Sequence, residues 1–458
     1  MWLKDSRCEE IVHEAWDEGK LLGVDSNLTN CLDHCRVKLE AWNKLEFGHV
    51  SRTIAALQEK LECLERQPYS QEASNLMKTT RVELNCWLEK EDEMWKQRSR
   101  INWMQSGDRN TRFFHEKASA RHKKNYIEGM MDANGVWQED ERKVEDIVVD
   151  YYNSLFTSTD PTEFTTILEA VTPKVSPDMN QNLTREFTAM EVKLALKQMY
   201  PLKAPGPDGM PPLFFQHFWP KLGVEVTATV LDFLNSGISH PKFNETHIVL
   251  IPKCKEPKNI TEYRPISQCD VVYKIASKAI ANRLKKILPI IISDTQSAFV
   301  HGRLITDNVL VAFEAMHHIS KKKSGKVGEM ALKLDMSKAY DRVEWVFLEK
   351  IIQKLGFDKK WRAMTMRCVT TVSYSIKING KPRGCIVPSR GIRQGDPLSP
   401  YLFLLCAEGL SALIKKEVGE RQLSGLTVSR GGPRLSHLFF ADDSLIFCKA
   451  SIEECSTL

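Results

Sequence analysis

The stretch LFFADDSLIF, Leu438 to Phe447, constrains the fold of this chain more than any other. Apolar residues flank two adjacent carboxylates, Asp442 and Asp443. A run this apolar belongs in a core, and burying two charges there is costly unless something compensates them. Extended to RLSHLFFADDSLIFCKA, Arg434 to Ala450, it reads as two apolar strands joined by a tight turn, since Asp and Ser favour turns. A hairpin tip with solvated acids explains the turn. It does not explain why apolar strands carry two acids between them.

A third acid bears on the question. EMALKLDMSKAYDRVEWVFLEKIIQKLG, Glu329 to Gly356, begins with a strand, ALKL, that delivers Asp335 at its end. Ser337 is expected to cap a helix whose apolar positions are Tyr340, Val343, Phe347, Ile351 and Leu355, with Gly356 ending it. Taken alone, an acid near a helix start more often serves the helix dipole. If the hairpin tip lies beside Asp335, however, three carboxylates meet at one edge of a sheet, and their repulsion requires cations. Oxygen-only clusters suit Mg²⁺, which keeps waters and binds substrate phosphates. Two such ions roughly 3.5–4 Å apart can hold the attacking and leaving oxygens of a phosphoryl transfer.

SRGIRQGDPLSPYLFLLCAEGLSALIKKEVG, Ser389 to Gly419, carries a helix start at Ser399 and Pro400. Gly391 and Gly395 let the backbone come close to a partner, and Gln394 is positioned to contact a nucleotide or a template strand. A turn into a core helix accounts for the helix but leaves IRQGD unexplained.

The rest of the chain frames these segments. Residues 1–125 read as helical. In VSRTIAALQEKLECLER, Val50, Ile54, Leu57, Leu61 and Leu64 step at helical spacing, which fits an intramolecular helical hairpin. WKQRSRINWMQSGDRNTRFFHEKASARHKK, Trp95 to Lys124, mixes basic residues, Arg109 and Arg112 among them, with Trp103, Phe113 and Phe114. Such a mixture binds phosphates and stacks on unpaired bases. It equally describes an amphipathic helix pair with aromatics in its core. Residues 126–180 carry turn signals, including DANG from Asp132, and read as a short hairpin and a connector. From residue 181 onward strands and helices alternate. HIVLIP, from His247, is a strand; YKIASKAIANRLKKILPIII, Tyr273 to Ile292, is one helix.

Composition adds bounds. With 42% apolar and 27% charged residues over 458 positions, the chain is globular rather than disordered. A net charge of +5 permits a polyanionic partner without demanding one. The twelve cysteines contain no C-x-x-C pair and read as reduced thiols of an intracellular protein. CLDHC, Cys31 to Cys35, lacks a second ligand pair at zinc spacing and reads as a helix face with buried cysteines. No apolar run reaches the length of a membrane span, so no membrane partner is expected. KKKSGK, Lys321 to Lys326, is a solvated loop or a nuclear signal.

LKLDMSKAYDRV, GIRQGDPLSPYLF and FFADDSLIF resemble, in order, the three palm motifs of reverse transcriptases. APGPDGMP (Ala204 to Pro211), LIPKCKEPKNITEYRPIS (Leu250 to Ser267) and TQSAFVHGRLITDNVL (Thr295 to Leu310) resemble finger segments of LINE-type non-LTR retrotransposon polymerases, above all those of plants. INWMQSGDRNTRFFH (Ile101 to His115) resembles the segment these proteins carry between endonuclease and polymerase. The resemblance covers nearly the whole chain from Trp95. Each motif is moderately specific; six in order are very specific.

The resemblance implies roles. Asp335, Asp442 and Asp443 match the catalytic, metal-binding acids. Tyr340 matches the steric gate that excludes a 2′-hydroxyl. Arg264 matches the finger arginine that reaches the triphosphate, a task suited to a guanidinium fork. Gln394 and Gly395 match the motif lining the nucleotide and template side, and Lys253 is a second phosphate contact. Arg109, Arg112, Phe113 and Phe114 are the nucleic-acid-binding candidates of the upstream segment. Phe440 stands where many reverse transcriptases have Tyr, as is common in LINE-type enzymes.

The expectation is therefore an α+β right-hand polymerase: a mostly antiparallel palm sheet backed by helices, with fingers before it. The expected domains are a helical extension over 1–125, a hairpin and connector over 126–180, and fingers and palm over 181–458, of which 248–458 is the most diagnostic part. The family continues past its third palm motif with a primer-grip hairpin and a helical thumb. None follows before Leu458, and no endonuclease pattern opens the chain. A chain without a thumb is expected to bind nucleic acid and to polymerise poorly. The expected reaction is RNA-directed DNA polymerisation with two Mg²⁺ ions, or Mn²⁺ in their place. Its partners are an RNA template, a DNA primer and deoxynucleoside triphosphates; its location is the nucleus or a cytoplasmic ribonucleoprotein. Three rivals remain: a nucleic-acid-binding relic without turnover, an RNA-templated RNA polymerase, which Tyr340 argues against, and a structural protein, which would not need three such acids.

Overall fold

The computed structural model describes residues 2–21, 27–99, 111–240, 242–322, 327–429 and 431–458. The chain divides into two compact units. The first comprises Met1–Glu139, Tyr200–Val226 and Leu250–Arg264; the second comprises Asp140–Met199, Thr227–Val249 and Pro265–Leu458.

The first unit opens with helices. α1 (Ser6–Leu21) buries Cys8, Val12, Ala15, Trp16 and Gly19, an apolar stripe at helical spacing. It packs against α2 (Asn27–Glu46). The approach is close: a Cβ on Gly19 would lie 2.6 Å from the Cys31 Cα. The cysteines of CLDHC are structural. Cys31 and Cys35 are buried, with Sγ donating to the carbonyls of Trp16 at 3.4 Å and Val12 at 3.8 Å. Burial pushes these thiols up to about 11 and about 12, so neither is a ready thiolate ligand. The predicted helical hairpin is present: α3 (Val50–Glu65) buries Val50, Ile54, Leu57 and Leu64 and packs on α4 (Gln71–Ser99). α5 (Thr111–Asn125) packs on α4 as well. DANG closes the hairpin of β1 (Met130–Met131) and β2 (Trp137–Gln138). Asp132 Oδ1 accepts the N–H groups of Asn134 and Val136, and Gly135 takes a φ of 77°.

The second unit begins with α6 (Glu141–Phe156), whose N-cap Asp140 accepts from the backbone N–H groups of Arg142 and Lys143. Then come α7 (Thr165–Ala170), α8 (Pro177–Thr184) and α9 (Ala189–Lys197), the last held by a Thr188–Glu191 capping box. α10 (Pro212–His217) belongs to the first unit, and the residues of α11 (Trp219–Leu231), β3 (Glu245–Pro252) and β4 (Tyr263–Cys269) are divided between the two. After these follow α12 (Val271–Leu284), α13 (Leu288–Ile291), α14 (Ile305–Lys321) and β5 (Glu329–Asp335). α15 (Trp345–Lys354), α16 (Lys359–Thr370), β6 (Ser373–Ile378) and β7 (Lys381–Ile386) come next. The chain closes with α17 (Ser399–Gly419), β8 (His437–Phe440), β9 (Asp443–Lys449) and α18 (Ile452–Thr457).

The strands form two larger sheets rather than one. A four-stranded sheet has the order β4–β3–β6–β7, and β3 pairs with β6 in parallel. The expectation of a mostly antiparallel sheet holds for the other, β5–β9–β8, which is antiparallel throughout. The parallel pair is possible because the long stretch between β3 and β6, with β4, β5 and several helices in it, lets the chain re-enter in the same direction.

Register assigns the faces of the three-stranded sheet. Met330, Ile446, Cys448 and Phe439 pack toward Leu410, Ile414 and Val418 of α17. Ala331, Phe447 and Leu438 lie on the opposite face with Ala312, Ala315 and Ile319 of α14.

Three helices differ from expectation. The Tyr273–Ile292 helix breaks after Leu284 because Pro289 cannot donate to Lys285, four residues back, and its ring crowds that carbonyl. The helix expected to follow Ser337 begins only at Trp345. Lys338 sits at a φ of 55°, and the carbonyls of Tyr340 and Val343 accept from Ile392 and Gly391 instead of from their own helix. The start of α17 shifts by one residue: Leu398 is the N-cap, Ser399 lies inside the helix, and Asp396 Oδ1 takes the Leu398 N–H at 2.8 Å.

Candidate active site

The β8–β9 turn consists of Ala441 and Asp442 alone. Ala441 takes a φ of 55°, a left-handed conformation that non-glycine residues seldom adopt. It is held there from outside the hairpin. Gln296 Oε1 accepts the N–H groups of Ala441 at 3.1 Å and Ala298 at 3.0 Å. Phe439 donates to the Thr295 carbonyl, and its own carbonyl accepts from Ser297 N–H and Asn308 Nδ2. Gln296 and Asn308 were not singled out in the sequence. A polar side chain in an apolar stretch is a signal that a partner is needed, but the partner lies well over a hundred residues away.

Antiparallel register puts Asp335 directly opposite Asp443. Such pairs have Cβ atoms roughly 4.5–5.5 Å apart and share a face. Asp335 and Asp443 are exposed and Asp442 is half-buried; Leu332 and Leu334 beside Asp335 are exposed too, whereas Phe439 and Ala441 beside Asp442 are buried. Lys333, two residues before Asp335 on the same face, brings Nζ to 3.4 Å from Asp443 Oδ1. Water and Lys333 therefore offset part of the negative charge. Among the described residues no three acidic, histidine or cysteine side chains converge into a cation-binding cluster. The backbone does bring Asp335 and Asp443 into register, with Asp442 next to them, and oxygen donors alone suit a hard divalent cation.

Tyr340 lies in the loop after β5, with its ring stacked on Phe403 of α17 at 5.1 Å and 10°. Burial holds its phenol well above the ordinary range, and the charge of Asp442 adds to this. The Gln394 loop runs beside the Tyr340 loop. Ile392 N–H donates to the Tyr340 carbonyl at 2.9 Å, and Gln394 Nε2 donates to Asp341 Oδ1 at 2.9 Å. The Gln394 carbonyl accepts from Ser267 N–H at 2.9 Å. Gly395 has a φ of 107°, and a Cβ there would come within 3.3 Å of the Ser267 carbonyl oxygen. Asp335, Asp442, Asp443, Tyr340, Gln394 and Gly395 all belong to the second unit.

The other candidates lie in the first unit. Arg264 is exposed on β4, while Lys253 Nζ donates to the Thr261 carbonyl at 2.8 Å. Arg109 and Trp103 lie outside the described residues. Arg112 is exposed and pairs with Glu116 at 3.1 Å. Phe113 is half-buried, with Lys117 Nζ 5.6 Å above its ring. Phe114 is 3% exposed, which corrects its expected stacking role: its ring is core, as helical spacing on α5 allows.

Residues 251–458 match the family model described as reverse transcriptase (RNA-dependent DNA polymerase). The chain is 29% identical over 358 residues to a 149 kDa protein of transposon TX1 from Xenopus laevis, covering 78% of this chain and 27% of that protein. It is 25% identical over 263 residues to a retrovirus-related Pol polyprotein from the type-1 retrotransposable element R2 of Popillia japonica, covering 57% and 35% of the two chains. Over residues 251–458 the chain is thus similar to the reverse transcriptase domains of retrotransposable elements. The chain is also 57% identical over 67 residues to an uncharacterized mitochondrial protein of Arabidopsis thaliana, covering 15% of this chain and 55% of that one. It spans only about a quarter to a half of the length of these relatives. A reverse transcriptase domain implies the right-hand polymerase fold, an RNA template, nucleotide substrates and divalent metal ions. The acid-bearing hairpin and the Tyr340 and Gln394 loops all lie inside the matched segment.

Proposed function

We propose that this chain supplies the fingers and palm of an RNA-directed DNA polymerase, adding deoxynucleotides to a primer 3′-hydroxyl. The observation that carries the reading is the in-register pair Asp335–Asp443, with Asp442 at the adjoining turn, inside a reverse transcriptase domain. Two Mg²⁺ ions, or Mn²⁺, held by these three acids would supply charge neutralisation at the triphosphate and acidify the primer hydroxyl. The chain's own residues do the rest by position and charge. Tyr340, stiffened by its stack on Phe403, is the gate against a 2′-hydroxyl. Gln394 and Gly395 line the nucleotide and template side. Arg264, exposed, and Lys253 are the triphosphate contacts of the fingers.

Upstream, Arg109, Arg112 and Phe113 belong to a nucleic-acid contact. In its support, α5 carries exposed Arg112, Lys117, Arg121, Lys123 and Lys124. The RNA template, DNA primer and deoxynucleotides are the proposed partners, and the nucleus or a cytoplasmic ribonucleoprotein the proposed location. The proposed division is a helical extension to residue 125, a connector to 180, and fingers and palm beyond.

Primer extension on an RNA template with Mg²⁺ tests the reading. Extension by this chain is expected to fall on the order of a hundredfold or more in Asp442→Asn. Equal extension by parent and variant would contradict it.

A further inference from the structure

The IRQGD segment contains a buried ion pair that the reverse transcriptase reading leaves without a task. Arg393 and Asp396 are 5% and 3% exposed, and Arg393 Nη2 lies 3.0 Å from Asp396 Oδ2. The guanidinium sits 3.9 Å from the ring centroid of Tyr273 on α12. It donates to the Cys368 carbonyl at 2.8 Å and to Asn244 Oδ1. Asp396 Oδ1 accepts the Leu398 N–H at the start of α17. One arginine thus ties α12, the end of α16 and the approach to β3 to a single loop. A buried pair of this kind is costly to form from solvated ions, and apolar residues of the same volume would often stabilise a fold as well or better. Its presence calls for a role in geometry rather than in stability.

The geometry points to that role. Gln394 and Gly395 are the two residues between the paired charges. With Arg393 and Asp396 both fixed, the intervening backbone has little freedom. It is laid along the Tyr340 loop: Gly391 N–H meets the Val343 carbonyl at 2.7 Å, Ile392 N–H meets the Tyr340 carbonyl, and Gln394 meets Asp341 and Ser267. Gly391, with a φ of 92°, passes so close that a Cβ would lie 2.8 Å from the Asp341 carbonyl oxygen. We propose that Arg393 and Asp396 are a positioning pair that fixes the Gln394–Gly395 dipeptide and, through the paired loop, Tyr340, so setting the shape of the nucleotide pocket. Neither residue touches the substrate. The proposal rests on the polymerase reading only for what the pocket holds; the ordering of the loop stands without it.

The test uses the whole chain in two variants. Asp396→Asn keeps the acceptor for Leu398 and removes the charge. The double variant Arg393→Met with Asp396→Asn removes both charges, so that no uncompensated ion is left buried. Amide hydrogen exchange is followed at Gly391, Ile392 and Ser267, with the β5–β9 ladder as internal reference. Both variants are expected to exchange at least about tenfold faster at these three amides, with the ladder unchanged. Unchanged exchange in both overturns the proposal. Equal acceleration in loop and ladder also overturns it, since that marks a purely structural pair. In primer extension the double variant is expected to raise the deoxynucleotide KM about tenfold, with kcat at saturation changed less than threefold. A fall in kcat at constant KM overturns the link to the pocket. A parent whose extension does not depend on Asp442 sinks the polymerase reading alone and leaves the exchange result to decide on the loop.

Discussion

His437 shows how much chemistry one buried side chain near the acids must satisfy. It is 0% exposed on β8, on the face toward α17. Its Nε2 lies 2.9 Å from both Thr295 Oγ1 and Ser411 Oγ, and its Nδ1 lies 2.9 Å from Ser436 Oγ. Burial, helped by the charge of Lys415 and opposed by that of Asp294, pulls its pKa down to about 4. The folded state therefore keeps the imidazole neutral while the unfolded chain binds a proton near the ordinary histidine value of about 6.5. A depressed folded pKa gives stability that is present above the unfolded value and lost as pH falls toward the folded one. Melting temperature should accordingly drop between pH 6.5 and 4, with this histidine accounting for at most on the order of 3 kcal/mol. His437→Gln should flatten that slope, although half-buried His247, drawn down to about 4, will keep part of it. An unchanged slope in the variant would remove His437 from the account.

Among the elements, the α1–α2 pair is the tightest test of packing. Glycine is a weak helix former, so an alanine in the interior of α1 should gain roughly 1 kcal/mol of helix propensity. The 2.6 Å approach of a Cβ to the Cys31 Cα outweighs that gain, because the obstacle is backbone. Gly19→Ala should lower stability by about 1–3 kcal/mol in chemical denaturation; a stabilised variant would show that the helices part freely. The strand-borne acids were legible in the sequence because apolar runs bounded by acids mark their own ends: β5 stops at Asp335 and β9 starts at Asp443. The α15 start was not, since what delays it is pairing with Gly391 and Ile392 about fifty residues away. IRQGD was opaque for the same reason: the partners of Arg393 are Asn244, Tyr273 and Cys368, and no local pattern names them. Phe114 was misassigned because a basic, aromatic helix reads alike whether its rings face the core or a base.

At the scale of the molecule, two charge distributions carry the functional account: the exposed basic residues of α5 and the acids at the β8–β9 turn. Phosphate contacts made by the first should give single-strand RNA binding that weakens on the order of tenfold or more as salt rises from 50 to 200 mM. Replacing Arg112, Lys117 and Arg121 together by Gln should shallow that dependence in a fluorescence anisotropy titration, and an unaltered slope would move the contact elsewhere. The acids carry the central claim, that Asp335, Asp442 and Asp443 hold divalent cations. The most direct measurement is a crystal structure of the chain soaked in Mn²⁺, read from anomalous density. The expected result is a peak ligated by Asp335 together with Asp442 or Asp443, lost in Asp335→Asn. A fully soaked crystal with no peak between these acids, or with its peak unchanged in Asp335→Asn, would contradict it.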